Sequence, residues 1–219
     1  MKNNQKSTVF IIGLFIVSFF IAAQEFQPVQ LPAPQTEGGR PLMEVLKDRK
    51  SIRSFGSKTL DEQTLSNLLW AAFGINRSES GKRTAPSAVN WQEIDVYVAL
   101  EKGLYVYNAE QHRLDPVIAQ DLRASTGKQS FVGTAPLNLV FVADYSKMGE
   151  TPDQFKDFMA HADAGFISQN VYLFCASEGL GTVVRAMIDR ESLAPLMLLR
   201  PDQKIILAQT VGYLKSNPE

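Results

Sequence analysis

Leu137, Leu139, Val140, Phe141, Val142 and Ala143 stand almost side by side, with Asn138 as the one polar interruption. Side chains of a strand point alternately to its two faces. A strand apolar in both directions must therefore be covered on both sides. Residues 137–143 predict a strand buried on both faces. The companion signal is the long helical stretch 152–178, closed by Gly179. In it Ala160, Ala164, Ile167, Ser168 and Val171 recur at helical spacing, giving an inward face of small residues.

The remaining pattern alternates irregularly. Residues 41–50 read as a helix opened by Pro41, with Leu42, Val45 and Leu46 on one face. Thr59 and Glu62 fit a capping box ahead of a helix carrying Leu65, Leu68, Leu69 and Ala72 inward and stopping near Gly74. Residues 76–84 read as a loop. Residues 94–100, 104–107 and 113–117 read as successive strands, 119–124 as a short helix, 182–184 as a short strand, 193–199 as a helix and 204–212 as the last strand. Strands and helices without regular βαβ order give an α+β class.

Composition narrows the chemistry. The chain has 219 residues, 45% hydrophobic and 21% charged, which suits one domain with appendages. A formal net charge of -1 leaves no basic footprint for nucleic acid. Cys175 is the single cysteine and reads as a buried small hydrophobe. His112 and His161 are the only histidines, and no His-x-x-x-His or Glu-x-x-His spacing supports a metal site.

Residues 9–23 carry no charge and follow Lys2 and Lys6. The run is short for a membrane span and fits a signal peptide ending at Ala22 and Ala23. This predicts a signal over 1–23, a secreted or periplasmic product and no span in the mature chain; the other reading is an uncleaved anchor over 9–23. Residues 24–40, with Pro28, Pro32, Pro34, Gly38 and Gly39, read as an extended tether, so the folded domain over 41–219 should begin near Pro41.

Four clusters carry candidate chemistry. Arg49, Lys50, Ser51 and Arg53 lie within a few residues of a helix end, and alternation would put Arg49, Ser51 and Arg53 on one face. Arginine forks and a hydroxyl make a phosphate cradle; the same composition also fits a solvated charged turn. Pro86, Ser87, Ala88, Asn90 and Gln92 follow a polar loop and could lay amides along a planar ring, or could be a helix start capped by Ser87. Gly179 and Gly181 around Leu180 permit close backbone approach, or simply stop a helix. Gly212, Tyr213, Leu214 and Lys215 close the last strand.

In this order and at these separations, the four clusters resemble the nitroreductase superfamily of flavoproteins over about residues 41–215. The pattern is closest to the branch containing the thiazole- and oxazole-forming dehydrogenases. The resemblance implies a three-layer fold, a mixed or antiparallel central sheet flanked by helices, and an intertwined homodimer with FMN at its interface. It implies that Arg49 and Ser51 hold the FMN phosphate with Lys50 nearby, and that Arg53 lies by the ribityl chain and pyrimidine edge. Pro86, Ser87 and Ala88 would line the ring from the partner subunit, with Asn90 at its edge. Leu180 and Gly181 would approach through backbone, and Lys215 would be the carboxy-terminal phosphate contact. The chain departs in having Leu214 and one lysine where the family has proline and more basic residues. The implied activity is FMN-dependent hydride transfer between a donor and a small organic acceptor, by a ping-pong cycle and with no catalytic acid or base. Alternatives are dehydrogenation, oxidation or dehalogenation on the same fold, or a flavin-free binding protein. A secreted product would not meet cytosolic nicotinamide donors, so either another donor serves it, or it is an oxidant-linked dehydrogenase, or the apolar start is an anchor facing inward.

Overall fold

The computed structural model describes residues 26–215. The proposed signal peptide lies outside the described residues, and so do 216–219. In chain order the regular elements are β1 (Val29–Gln30), α1 (Leu42–Asp48), α2 (Glu62–Phe73), β2 (Ile75–Arg77), β3 (Lys82–Arg83) and β4 (Ile94–Leu100). They continue as β5 (Gly103–Asn108), β6 (Arg113–Ile118), β7 (Leu137–Asp144), α3 (Asp153–Ser177), β8 (Leu180–Arg185), α4 (Arg190–Leu196) and β9 (Gln203–Tyr213).

Seven strands form one sheet in the order β1-β6-β5-β4-β7-β9-β8, and every described pairing in it is antiparallel. β7 sits in the middle and every residue of it is buried. Alternation divides its side chains as the apolar run requires. Leu137, Leu139, Phe141 and Ala143 join the core under α2 and α3, with Leu68, Leu69, Ala164 and Ile167. Val140 and Val142 join a smaller core on the opposite face, with Leu122, Leu193 and Met197. Helices therefore cover both faces, giving the three layers of an α+β fold. Cys175 is buried within α3, and burial pushes its thiol pKa up.

Local chemistry moves several boundaries. α2 starts at Glu62 because Asp61, not Thr59, caps it by accepting the Thr64 N–H at 2.8 Å. Glu62 therefore stands at the first helical position and cannot reach back as in a capping box. The supposed loop over 76–84 contains the β2–β3 ribbon, turning through Gly81 at φ 63°. Residues 119–124 give no α-helix; a 3-10 turn follows at Arg123–Thr126. α4 begins earlier than expected because Asp189 accepts the Ser192 N–H. Of the four apolar residues on α1, only Val45 is buried; Leu42, Met43 and Leu46 face outward.

The largest difference lies at the amino-terminal end of the described chain. The stretch before Pro41 is extended, but it is docked. Val29 and Gln30 pair with Leu114 and Arg113, Leu31 is buried, and Phe26 packs on the Tyr105 ring at 4.6 Å. A bracket of side chains fixes it. Ser66 of α2 donates its hydroxyl to the Pro32 carbonyl at 2.7 Å and meets His112 Nε2 at 2.7 Å. His112 Nδ1 meets the Tyr107 hydroxyl at 2.9 Å. The Ser66 proton is committed to Pro32, so His112 carries its proton on Nε2 and accepts from Tyr107 on Nδ1.

Burial holds the His112 pKa below its ordinary 6.5, with the Pro32 carbonyl opposing weakly. Protonation would also turn the Nδ1 acceptor into a donor facing Tyr107. The unfolded chain thus takes up a proton that the native chain resists. The associated stability is complete above about pH 6.5 and is lost as pH falls through that value toward the depressed native pKa. We expect the melting temperature of the wild type to fall more between pH 7 and 5 than that of His112→Gln. Parallel curves for the two chains would remove His112 from this role.

Candidate functional site

The first, third and fourth clusters meet in space. After α1 the chain runs as an irregular strap across the ends of β8 and β9. Ile52 N–H donates to the Thr182 carbonyl at 2.9 Å, Gly56 N–H donates to the Tyr213 carbonyl at 2.9 Å, and Phe55 bridges Leu214. The strap and the end of α3 enclose a cleft of about 370 Å³. Lys47, Asp48, Arg49, Lys50, Tyr172 and Leu180 are among its walls.

Tyr172, on the buried side of α3, organises the polar end. Its hydroxyl lies 2.8 Å from Ser51 Oγ and accepts the Val184 N–H at 3.1 Å. The backbone N–H occupies one acceptor position, so the Tyr172 proton is free to point at Ser51. The Arg49 guanidinium stands 5.2 Å from the centre of the same ring. One tyrosine therefore positions two of the predicted residues. Among the described residues Arg49 and Lys50 make no ion pair, whereas Asp48 is held by Arg40 at 2.6 Å. That pairing keeps the Asp48 carboxyl pKa below its usual range. Positive charge at the mouth of the cleft is left over.

Gly181 and Lys215 take less direct places. A Cβ at Gly181 would meet Ile52 Cγ2 at 2.9 Å and Leu214 Cδ2 at 3.1 Å. The missing side chain thus admits the strap and the end of β9. Gly179, at φ 69°, ends α3 in the left-handed conformation that favours glycine. Leu214 lines the cleft while Lys215 is exposed beyond it, and Arg53 is exposed on the strap outside the lining.

The second cluster lies apart. Ala88 N–H donates to Asp163 Oδ2 at 2.8 Å. Asp163 is nine residues before Tyr172 on α3, about 14 Å along the helix axis. Within a single chain, Pro86, Ser87, Ala88 and Asn90 therefore do not share the cleft of Arg49 and Ser51. The segment is not a regular helix start. Val89, Asn90 and Gln92 have φ of 52°, 58° and 50°. A β-branched valine at positive φ is a true backbone outlier, and such strain collects at functional sites. The segment is tied down from several sides. Ser87 Oγ accepts the Gln92 N–H at 3.0 Å, Arg83 Nε donates to Gln92 Oε1 at 2.7 Å, and Gln92 Nε2 donates to the Gly81 carbonyl at 3.1 Å. Its tip is presented outward, with Val89 82% exposed.

Sequence reasoning singled out neither Tyr172 nor Asp163 as a functional residue. The usable signal was Asp163 itself, a carboxylate set among Ala160, Ala164 and Ile167 on an apolar helix face. Tyr172 gave no such signal, because a tyrosine in a buried helix reads as core.

A family model described as "Nitroreductase family" matches residues 46–213. A protein of Methanocaldococcus jannaschii bearing a nitroreductase name is 35% identical over 182 residues, covering 75% of this chain and 91% of that one. A crystal structure from Ralstonia eutropha JMP134, also given a nitroreductase name, is 48% identical with a TM-score of 0.84, covering 87% of this chain and 91% of that one. A chain of the Escherichia coli microcin synthetase McbBCD complex, 21% identical with a TM-score of 0.66, shares the fold over 96% of this chain and 79% of its own. On the extent of these matches, together with the strap and the strained segment, the chain belongs to the nitroreductase family of oxidoreductases.

Proposed function

We propose that the chain is an FMN-dependent oxidoreductase acting as a homodimer, with the FMN phosphate in the cleft of Arg49, Lys50 and Ser51. The observation that carries this is the positive charge of Arg49 and Lys50, without an ion pair among the described residues, beside a hydroxyl held by Tyr172. Guanidinium and ammonium groups lining a cleft of this size, with the Ser51 hydroxyl held against Tyr172 of its wall, fit a phosphate-bearing ligand. When bound, FMN supplies the hydride chemistry, and the protein supplies binding, orientation and electrostatics.

Arg49 gives a two-pronged donor to phosphate oxygens, and its stacking on Tyr172 limits the rotamers it must give up on binding. Ser51 would donate a hydrogen bond to a phosphate oxygen while accepting one from Tyr172. Leu180 and Ile52 exclude water from the inner wall. Arg53 offers a cation to the electron-rich edge of the ring. Lys215 adds positive charge at the rim.

The remaining ring contacts, from Pro86, Ser87, Ala88 and Asn90, are proposed to come from the partner subunit. What supports this is the separation along α3, together with a bare apolar face on that helix. Phe158 is 67% exposed and Phe166 48% exposed, with Gly165 between them. Leu42, Met43 and Leu46 of α1 are exposed as well. A second copy would cover these surfaces and bring its own 86–92 segment to the cleft.

The test is the visible spectrum of the purified chain, the identity of any released chromophore, and the mass in solution by light scattering. A yellow protein of twice the chain mass that releases FMN supports the reading. Phe166→Glu should then give a monomer that loses flavin. A chain that stays colourless after incubation with FMN overturns it and leaves a binding protein on this fold.

A further inference from the structure

Beneath the 86–92 segment lies a second carboxylate. Glu93, immediately after Gln92, is completely buried, and neither of its carboxylate oxygens has a hydrogen-bond donor among the described residues. Its neighbour is the buried carboxylate of Asp163, the acceptor for Ala88 N–H. Two carboxylates cannot both be ionised at such a place without strong repulsion. A protonated Glu93 becomes a donor, and the Asp163 carboxylate is the acceptor beside it. The proton then links the start of β4 to α3, and through Asp163 to the Ala88 N–H just before the strained residues Val89 and Asn90.

We infer that Glu93 and Asp163 are positioning residues that share one proton and thereby hold the 86–92 segment in its flavin-facing conformation, making flavin affinity depend on pH. The inference rests on the flavin reading for its functional consequence, but the proton-sharing pair exists whether or not flavin binds.

The surroundings set the direction. Burial raises the Glu93 pKa to about 7, and the Asp163 charge adds to the rise. From the turn after β7, Lys147 opposes weakly, because its ammonium is engaged by Asp95 of β4 at 2.6 Å. Tyr145 of the same turn faces the pair, but its hydroxyl donates to Asp157. Nothing else in these elements offers Glu93 a proton, so rising pH leaves two negative charges together. The segment then loses the anchor that compensates its three positive-φ residues.

Two titrations of the full-length protein from pH 5.5 to 8.5 decide the matter. The first uses FMN as probe and reads its fluorescence. If only the one-proton state holds the segment, a group titrating near pH 7 leaves roughly a tenth of the molecules competent at pH 8, and the apparent Kd rises about tenfold from pH 6 to 8. Glu93→Gln keeps a neutral donor at every pH and should flatten the curve. Asp163→Asn should do the same, since an amide still accepts from Ala88 and cannot repel Glu93. FMN takes its second phosphate ionisation near pH 6 with every variant, so differences between chains isolate the pair.

The second titration follows Trp91 emission without flavin, in a Trp70→Phe background, where Trp91 reports the segment directly. We expect a transition near pH 7 that both substitutions abolish. A wild type flat in both titrations, or a Glu93→Gln chain that keeps the wild-type transition, overturns the inference. Absence of FMN binding with the Trp91 transition intact would sink the flavin reading and leave the proton-sharing pair standing.

Discussion

On the proposed flavin reading, Arg49→Ala should weaken FMN binding by the full-length protein about 10- to 100-fold, the cost of one charge-assisted phosphate contact. The reason lies in the strap. Arg49 is the capping residue of α1, and its N–H donates to the Val45 carbonyl at 2.8 Å, so its backbone is fixed. Its guanidinium is fixed a second time over the Tyr172 ring. Little conformational freedom remains to be lost when a phosphate arrives. Arg49→Lys should recover part of the affinity, because an ammonium keeps the charge but neither stacks nor forks in the same way. The loss should shrink as salt rises, since a half-exposed charge is screened. FMN titrations of the three chains at low and high ionic strength provide the measurement. Equal affinities would place the phosphate elsewhere.

Arg185→Ala should destabilise the fold by about 3 kcal/mol or more, a large part of a typical domain's margin. Arg185 is a buried cation without a carboxylate partner among the described residues. Burial draws its pKa down to about 10, which registers the cost of its charge there. That cost is offset by neutral acceptors on three separate elements. Nε donates to Thr210 Oγ1 at 3.0 Å, one terminal nitrogen to the Thr126 carbonyl at 2.8 Å, and the other to Asn138 Oδ1 at 2.9 Å. Truncation would leave the Thr126 carbonyl dry and unpaired and open a void between β7, β8 and β9. Gly127 completes the site, because a Cβ there would lie 1.9 Å from a terminal nitrogen of Arg185. Arg185→Lys should fare little better, since one ammonium cannot reach acceptors spread around a planar fork. Urea denaturation followed by far-UV dichroism gives the difference, and a loss under 1 kcal/mol for Arg185→Ala would refute the account.

Much of the candidate site was legible beforehand because its parts are local. Arg49, Lys50 and Ser51 share one short strap, whose donor types suit a phosphate cradle as well as a solvated charged turn, and the family resemblance is what points to the cradle. Leu180 was legible as the residue flanked by Gly179 and Gly181. The place of Gly181 among its neighbours was not legible. Its missing Cβ makes room for Ile52 and Leu214, and sequence cannot say which neighbour a glycine accommodates. The amino-terminal stretch misled for a related reason. Pro28, Pro32 and Pro34 do exclude helix, but an extended proline-containing segment can be a free tether or an edge strand. Only the presence of β6, Ser66 and His112 beside it decides between them.

By itself the sequence determined the strand buried on both faces, the long helix with its small-residue face, the α+β class and the identity of the cationic strap. Each follows from periodicity or from neighbours a few residues apart, where chain connectivity guarantees proximity. Tertiary structure alone decided that Ser51 meets Tyr172 across 121 positions, that Ala88 hangs on Asp163 across 75, and that Arg185 finds Thr126 and Asn138. Those partnerships depend on how the sheet and α3 pack, and hydrogen bonding is too short in range to be written into any local pattern.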